Sequence, residues 1–272
     1  MTELINSNNL TNKYGLGRLA WNGYGLKIVA VITMLIDHVG ASILWRYIEA
    51  CHGYNDSVLM GIYEMMRYIG RMAFPIYCFL LVEGFLHTRS VGKYALRLGI
   101  FALISEVPFD IALNQKLWRP GSNNVFFTLL IGLLLIWGIS KVEIFYEFWR
   151  EKQLDAFIGT LAALAVAVLM VVPALFLAEL IFASDYGMGG VLAILVLYLL
   201  RKYRLIGYVL AILVLYVFAG SSEILALIML FPLSMYDGTR GTEKGKWDKY
   251  FFYGFYPVHL LVLGLLCMAL GI

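Results

Sequence analysis

The apolar run 26–48, LKIVAVITMLIDHVGASILWRYI, carries an aspartate and a histidine side by side at its middle, Asp37 and His38. Ionisable groups in a stretch long enough to cross a bilayer are costly and mark a functional position by default. Histidine is the side chain that takes or gives a proton near neutrality, so His38 is the candidate proton acceptor. The bland alternative is a histidine that only bonds a neighbouring helix. Helix geometry separates the pair, because consecutive residues point about 100° apart. The carboxylate that fixes the His38 imidazole is therefore expected from another helix, and Asp37 is expected to face a different neighbour, an arginine among the choices.

Further polar groups recur at helical spacing. Glu64, Arg67 and Arg71 lie three and four apart, so Arg67 and Arg71 share a face. Glu106 and Asp110 are also four apart, and Arg67, Arg71 and Asn124 are their expected partners. Glu83 sits within an apolar run and needs a partner, while His87, one turn on, reads as a solvated flank. Asp185-Tyr186-Gly187 reads as a turn. Tyr256 and His259 are three apart beside Pro257, which can open a helix. Glycines 238, 241 and 245 alternate with Arg240, Lys244 and Lys246, a flexible basic backbone suited to phosphate groups. On composition alone the same stretch is an ordinary basic loop.

The elements that must position these groups are membrane helices. Of 272 residues, 61% are hydrophobic and 14% charged, where a soluble domain has about 25% charged; mean hydropathy is +0.80. The chain is expected to be an all-α, polytopic integral membrane bundle of about nine spans, with eight to ten the plausible range. They are placed at 26–48, 70–88, 94–112, 124–140, 155–183, 186–200, 204–220, 222–236 and 250–271. Residues 57–69 read as an interfacial amphipathic helix or as a continuation of the second span. A polar segment, 1–25, precedes a single transmembrane domain, 26–272. No cleavable signal peptide is expected, since the first apolar run is too long for one.

Orientation follows from the basic residues. With a cytoplasmic N-terminus, sixteen fall inside: Lys13, Arg18, Lys27, Arg89, Lys93, Arg97, Lys141, Arg150, Lys152, Arg201, Lys202, Arg204, Arg240, Lys244, Lys246 and Lys249. Five fall outside: Arg46, Arg67, Arg71, Lys116 and Arg119. His38 is eleven residues beyond Lys27, roughly 16 Å along a helix and near the middle of a hydrocarbon core about 30 Å thick. Three scattered cysteines and four histidines show no metal-ligand spacing, so no metal is expected. No basic patch interleaved with aromatics suggests a nucleic-acid partner.

Several stretches resemble the TraX family of bacterial membrane proteins: LKIVAVITMLIDHVG, RYIGRMAFPIYCFLLVEGFLHT, KYALRLGIFALISEVPFDIAL, NNVFFTLLIG, the DYG turn and KYFFYGFYPVHLL. They cover most of the chain in the expected order. The family is associated, through its type member, with N-terminal acetylation of a conjugative pilin. It is similar to transmembrane acyltransferases that use an intramembrane histidine. The resemblance implies a multi-pass protein of the bacterial cytoplasmic (inner) membrane that moves an acetyl group from acetyl-CoA to an amine or hydroxyl outside. That acceptor would be a peptide N-terminus, an amino sugar or another nucleophile. His38 is then general base or transient acyl carrier, with Glu106 or Asp37 stabilising the imidazolium. Arg67, Arg71, Asp110 and Asn124 are expected at the acceptor, and Arg240, Lys244, Lys246, Tyr256 and His259 at the donor. The rival reading is a small-molecule transporter or permease with a polar intramembrane site, although no inverted repeat is visible.

Overall fold

The computed structural model describes residues 20–51, 53–151, 156–241 and 246–272. Most of segment 1–25, including Lys13 and Arg18, lies outside the described residues, as do Lys152 and Lys244. The described chain is all-helical apart from two isolated β-bridges, Trp21 with Tyr236 and Asn123 with Ser184.

Among the described residues eleven α-helices follow in order: α1 Gly23–Val39, α2 Trp45–Ala50, α3 Ser57–Gly70, α4 Ala73–His87, α5 Val91–Phe109, α6 Val125–Glu151, α7 Ala156–Phe176, α8 Gly187–Leu199, α9 Arg204–Ala219, α10 Leu230–Ser234 and α11 Lys246–Leu270. A 3₁₀ stretch, Ser221–Met229, leads into α10. Among the described residues, five stretches are long and apolar enough to cross a membrane: Gly23–Ala50, Ser57–His87, Val125–Glu151, Phe157–Leu180 and Phe251–Leu270. Three shorter apolar helices, Gly187–Leu199, Arg204–Ala219 and Ser221–Ser234, accompany them. Residues 57–69 continue the second span, interrupted by a turn at Arg71 and Met72.

Local chemistry sets the helix starts. Asn22 accepts from the Gly25 amide at 2.9 Å, and Asp56 from Val58 and Leu59 at 2.9 and 3.1 Å. Asn124 opens α6 by accepting from the Phe126 amide at 3.1 Å. Helix α4 is apolar around most of its girth and sits at the centre, against α1, α6, α8 and α9. Helix α7 packs on α6 and α8 and leaves most of its apolar surface exposed, as a lipid-facing helix does. Lipid tails are as apolar as leucine, so close backbone approach matters here more than burial. Gly190 provides it: a Cβ there would meet Thr128 at 2.5 Å and Phe74 and Tyr186 at 2.8 Å.

Three π turns extend helices α1, α5 and α7: Gly40–Leu44, Asp110–Asn114 and Leu177–Ile181. Such turns leave carbonyls in need of donors. Arg46, itself buried, supplies them by donating to the Ile111 and Ala112 carbonyls at 2.6 and 2.8 Å. At the opposite end, segment 235–241 is tied to the start of α1. Trp21 N–H donates to the Met235 carbonyl at 3.1 Å, Asp237 N–H to Trp21 at 2.9 Å and Gly23 N–H to Thr239 at 2.8 Å.

Candidate active site

Helices α1 and α11 bring two histidines together. His38 Nδ1 lies 2.7 Å from His259 Nε2, with the rings 10° from parallel and both residues buried. His259 Nδ1 lies 2.6 Å from the Phe255 carbonyl, one turn back on α11. A carbonyl only accepts, so Nδ1 of His259 carries the hydrogen, and in the neutral ring its Nε2 is a lone pair. His38 Nδ1–H therefore donates to it. The chain of bonds leaves the His38 Nε2 lone pair available as a base. Phe255 stacks on His259 at 4.6 Å, and Tyr256 stands edge-on to both imidazoles at 5.8 Å. Ser42, in the π turn that follows, donates to the His38 carbonyl at 2.5 Å.

A cavity of about 380 Å³ lies next to this pair, which shares Tyr256 with it while neither histidine lines it. Lys27, His87, Arg97 and Arg240 line its basic mouth, and Met34, Phe126 and Tyr256 its floor. Met34 is one turn before His38 on α1, and Tyr256 stands edge-on to both imidazoles, so the floor is the side nearest the pair. Glu83 also lines the cavity and accepts from the Tyr236 hydroxyl at 3.3 Å, the partner its depth required. The volume falls within the range of small-ligand sites, about 300–1,000 Å³.

Asp37 points elsewhere, as the helix geometry predicts, and its partner is an arginine: Arg67 on α3, at 2.8 Å. Beside them Arg71 pairs with Glu223 at 3.2 Å and lies close to Tyr186. Asp185, in the DYG turn, lies within electrostatic reach of both arginines. Asp37 fits only because residue 70 is glycine; a Cβ there would collide with its carboxylate. Asp37 Oδ1, Arg71 Nε and Glu223 Oε2 are buried without a hydrogen-bond partner. Glu223 is completely buried. Nothing in the stretch SSEIL distinguishes it from the polar flank of a span, and only its burial against Arg71 marks it.

The expected carboxylate partner of His38 is absent among the described residues; a second histidine takes its place. Glu106 instead binds Asn124, accepting from its backbone N–H at 3.2 Å and its side-chain amide at 2.5 Å. The Asn124 amide also donates to the Ala102 carbonyl at 2.8 Å. Asp110 accepts from Asn114 at 2.9 Å and from the Arg119 backbone at 2.6 Å, and so closes its own π turn rather than meeting Arg67 or Arg71. Of the anticipated donor-binding residues, Arg240 and Tyr256 line the cavity and His259 completes the histidine pair. Lys244 and the Lys246 side chain lie outside the described residues. Lys27 and Arg97 join Arg240 at the mouth, which the sequence reading had placed only in the flanks of their spans.

Among known proteins, the family described as TraX protein matches residues 22–267. A curated relative, the probable fimbrial assembly protein FimC, serogroup H1, of Dichelobacter nodosus, is 30% identical over 278 residues, 92% of this chain and 96% of that protein. No solved structure matches.

Proposed function

The chain belongs to the TraX family, and on that premise we propose that it is a membrane-embedded acetyltransferase. It takes the acetyl group of cytoplasmic acetyl-CoA and delivers it to an amine or hydroxyl on the outer side of the bacterial inner membrane. The reading assumes about nine crossings with the N-terminus inside, the arrangement that the basic residues favour. The observation that carries it is the His38–His259 pair, joined through Tyr256 to a cavity with a basic mouth.

The chemistry follows from the unshared nitrogen. His38 Nε2 takes the proton of the acceptor as its nitrogen or oxygen attacks the thioester carbonyl. The new bond to carbon forms, the carbon–sulfur bond breaks, and the departing CoA thiolate recovers the proton from the imidazolium. An α-amino group, with a pKa of about 8, is partly neutral at physiological pH and can attack without prior deprotonation, so the base is needed only as the new bond forms. In the covalent variant the same lone pair attacks the thioester first and the CoA thiolate leaves; the acceptor then attacks the acyl-imidazole, imidazole leaves, and the acceptor's proton goes to the thiolate. His259 spreads the positive charge that the imidazolium carries. The cations at the mouth, Lys27, Arg97 and Arg240, match the phosphates of the donor.

Asp37, Arg67, Arg71, Asp185 and Glu223, on the other face of α1, offer both signs of charge to an acceptor. Because the curated relative is named for fimbrial assembly, the N-terminus of a pilin-type subunit is the first acceptor to try and an amino sugar the second. The test is transfer from labelled acetyl-CoA by the purified protein. His38→Ala should abolish transfer while the protein still inserts and keeps its melting temperature. Substantial transfer by that variant overturns the assignment of the base. Stabilisation by CoA species but not by free acyl acids separates an acyltransferase from a permease.

A further inference from the structure

We propose that Tyr256 is a catalytic residue whose hydroxyl holds the thioester carbonyl oxygen while that oxygen becomes an oxyanion, an inference that rests on the acetyltransferase reading. Tyr256 is 4% exposed and forms part of the cavity floor. Its ring stands edge-on to His38 at 5.8 Å and to Phe126 at 5.1 Å. Its hydroxyl lies near the Val125 backbone, at the first residue of α6.

The other amides at that helix start have partners. Asn124 N–H donates to Glu106, Phe126 N–H to the Asn124 side chain at 3.1 Å, and Phe127 N–H to the Asn124 carbonyl at 3.2 Å. The Tyr256 hydroxyl thus sits beside the positive end of a 27-residue helix. The field at a helix N-terminus favours negative charge built up next to it, so an oxyanion facing this hydroxyl is stabilised. Among the described residues no hydrogen bond takes its proton. A thioester carbonyl held against Tyr256 would lie on the side of the cavity nearest the His38 imidazole. The tyrosine keeps its proton throughout; the acceptor's proton goes to His38 and the CoA thiolate leaves.

The test is Tyr256→Phe, which keeps the ring packing. Transfer at saturating donor should fall about 10²- to 10³-fold, the usual cost of losing one oxyanion donor. Donor KM should stay within about threefold and the melting temperature should be unchanged. A kcat within about threefold of wild type, or a loss carried by KM alone, overturns the inference while leaving the acetyltransferase reading in place.

A binding arm separates the two claims. Acetyl-CoA is compared with S-ethyl-CoA, the thioether that lacks the carbonyl oxygen. Wild type should favour acetyl-CoA modestly, within the threefold margin set for KM, and Tyr256→Phe should lose that margin; equal preference in both proteins overturns the role of the hydroxyl. If wild type transfers to no acceptor and binds neither compound, the acetyltransferase reading fails, and the inference fails with it.

Discussion

His38 and His259 are 221 residues apart in the chain and 2.7 Å apart in space. The bond runs in one direction because the Phe255 carbonyl holds the His259 hydrogen on Nδ1. His259 thus does for His38 what a carboxylate does in a serine hydrolase: it fixes the tautomer and shares the charge that forms. A neutral ring suits an intramembrane site, where a carboxylate would need its own counter-charge.

His259→Phe keeps a flat ring but removes the acceptor, so His38 is free to turn and to change tautomer. Transfer should fall by about 10²-fold or more, with donor KM little changed. His259→Gln, whose amide oxygen can accept from Nδ1–H, should recover part of the loss. Equal activity in the Phe and Gln variants would mean that the bond does not orient the base.

The Asp37–Arg67 pair ties α1 to α3, with 17% and 27% of the two side chains exposed. Removing one partner leaves the other charge half-buried and alone. Asp37→Asn and Arg67→Gln should each lower thermal stability, and the double variant should lose less than the sum. The coupling expected for such a partly buried pair is about 1 kcal/mol. Gly70→Ala should mimic Asp37→Asn, because its methyl displaces the carboxylate. Strictly additive losses in the cycle would show that the pair contributes no net attraction.

The all-helical, membrane-type build and the separation of Asp37 from His38 were legible because they depend on local quantities: apolar run length and 100° per residue. The Glu106–Asn124 bond was legible too, since both groups sit at comparable depth on consecutive spans. The His38–His259 pair was not, because run length gives depth but not which helix faces which. Asp110 shows a second limit. Its four-residue spacing from Glu106 suggests one shared face, yet the helix changes to a π turn at Asp110 itself, and the carboxylate turns to Asn114 and Arg119. Arg46 read as an outer flank charge and is instead a buried donor to two carbonyls that such a turn exposes.

Arg46→Met should therefore behave as a structural change. It keeps a long apolar stem but leaves the Ile111 and Ala112 carbonyls without their donor. Loss of hydrogen bonds from a charged donor costs about 1.5–3 kcal/mol, so the melting temperature should drop clearly. The protein that remains folded should bind acetyl-CoA with wild-type affinity, since Arg46 is at the far end of the bundle from the cavity mouth. Weakened donor binding in the folded fraction would mean that the π turn communicates with the cavity.

The mouth of the cavity gives a prediction with an internal control. Arg97 stacks its guanidinium on Tyr94 at 5.8 Å, and its Nε is buried without a partner. Arg240 lies in the segment held to α1 by the Gly23–Thr239 bond. If both meet donor phosphates, Arg97→Gln and Arg240→Gln should each weaken acetyl-CoA binding about 5- to 10-fold, one charge-assisted hydrogen bond's worth. The rate at saturating donor should be unchanged, because neither residue reaches the thioester. Wild-type affinity should fall with rising salt, which screens exposed charges over about 10 Å at 0.1 M. Acetyl-pantetheine, which carries the same thioester without phosphates, supplies the control. Its binding should be weak, insensitive to salt and indifferent to both substitutions. A matching loss for acetyl-pantetheine would instead mean that the two arginines shape the cavity and do not read the phosphates.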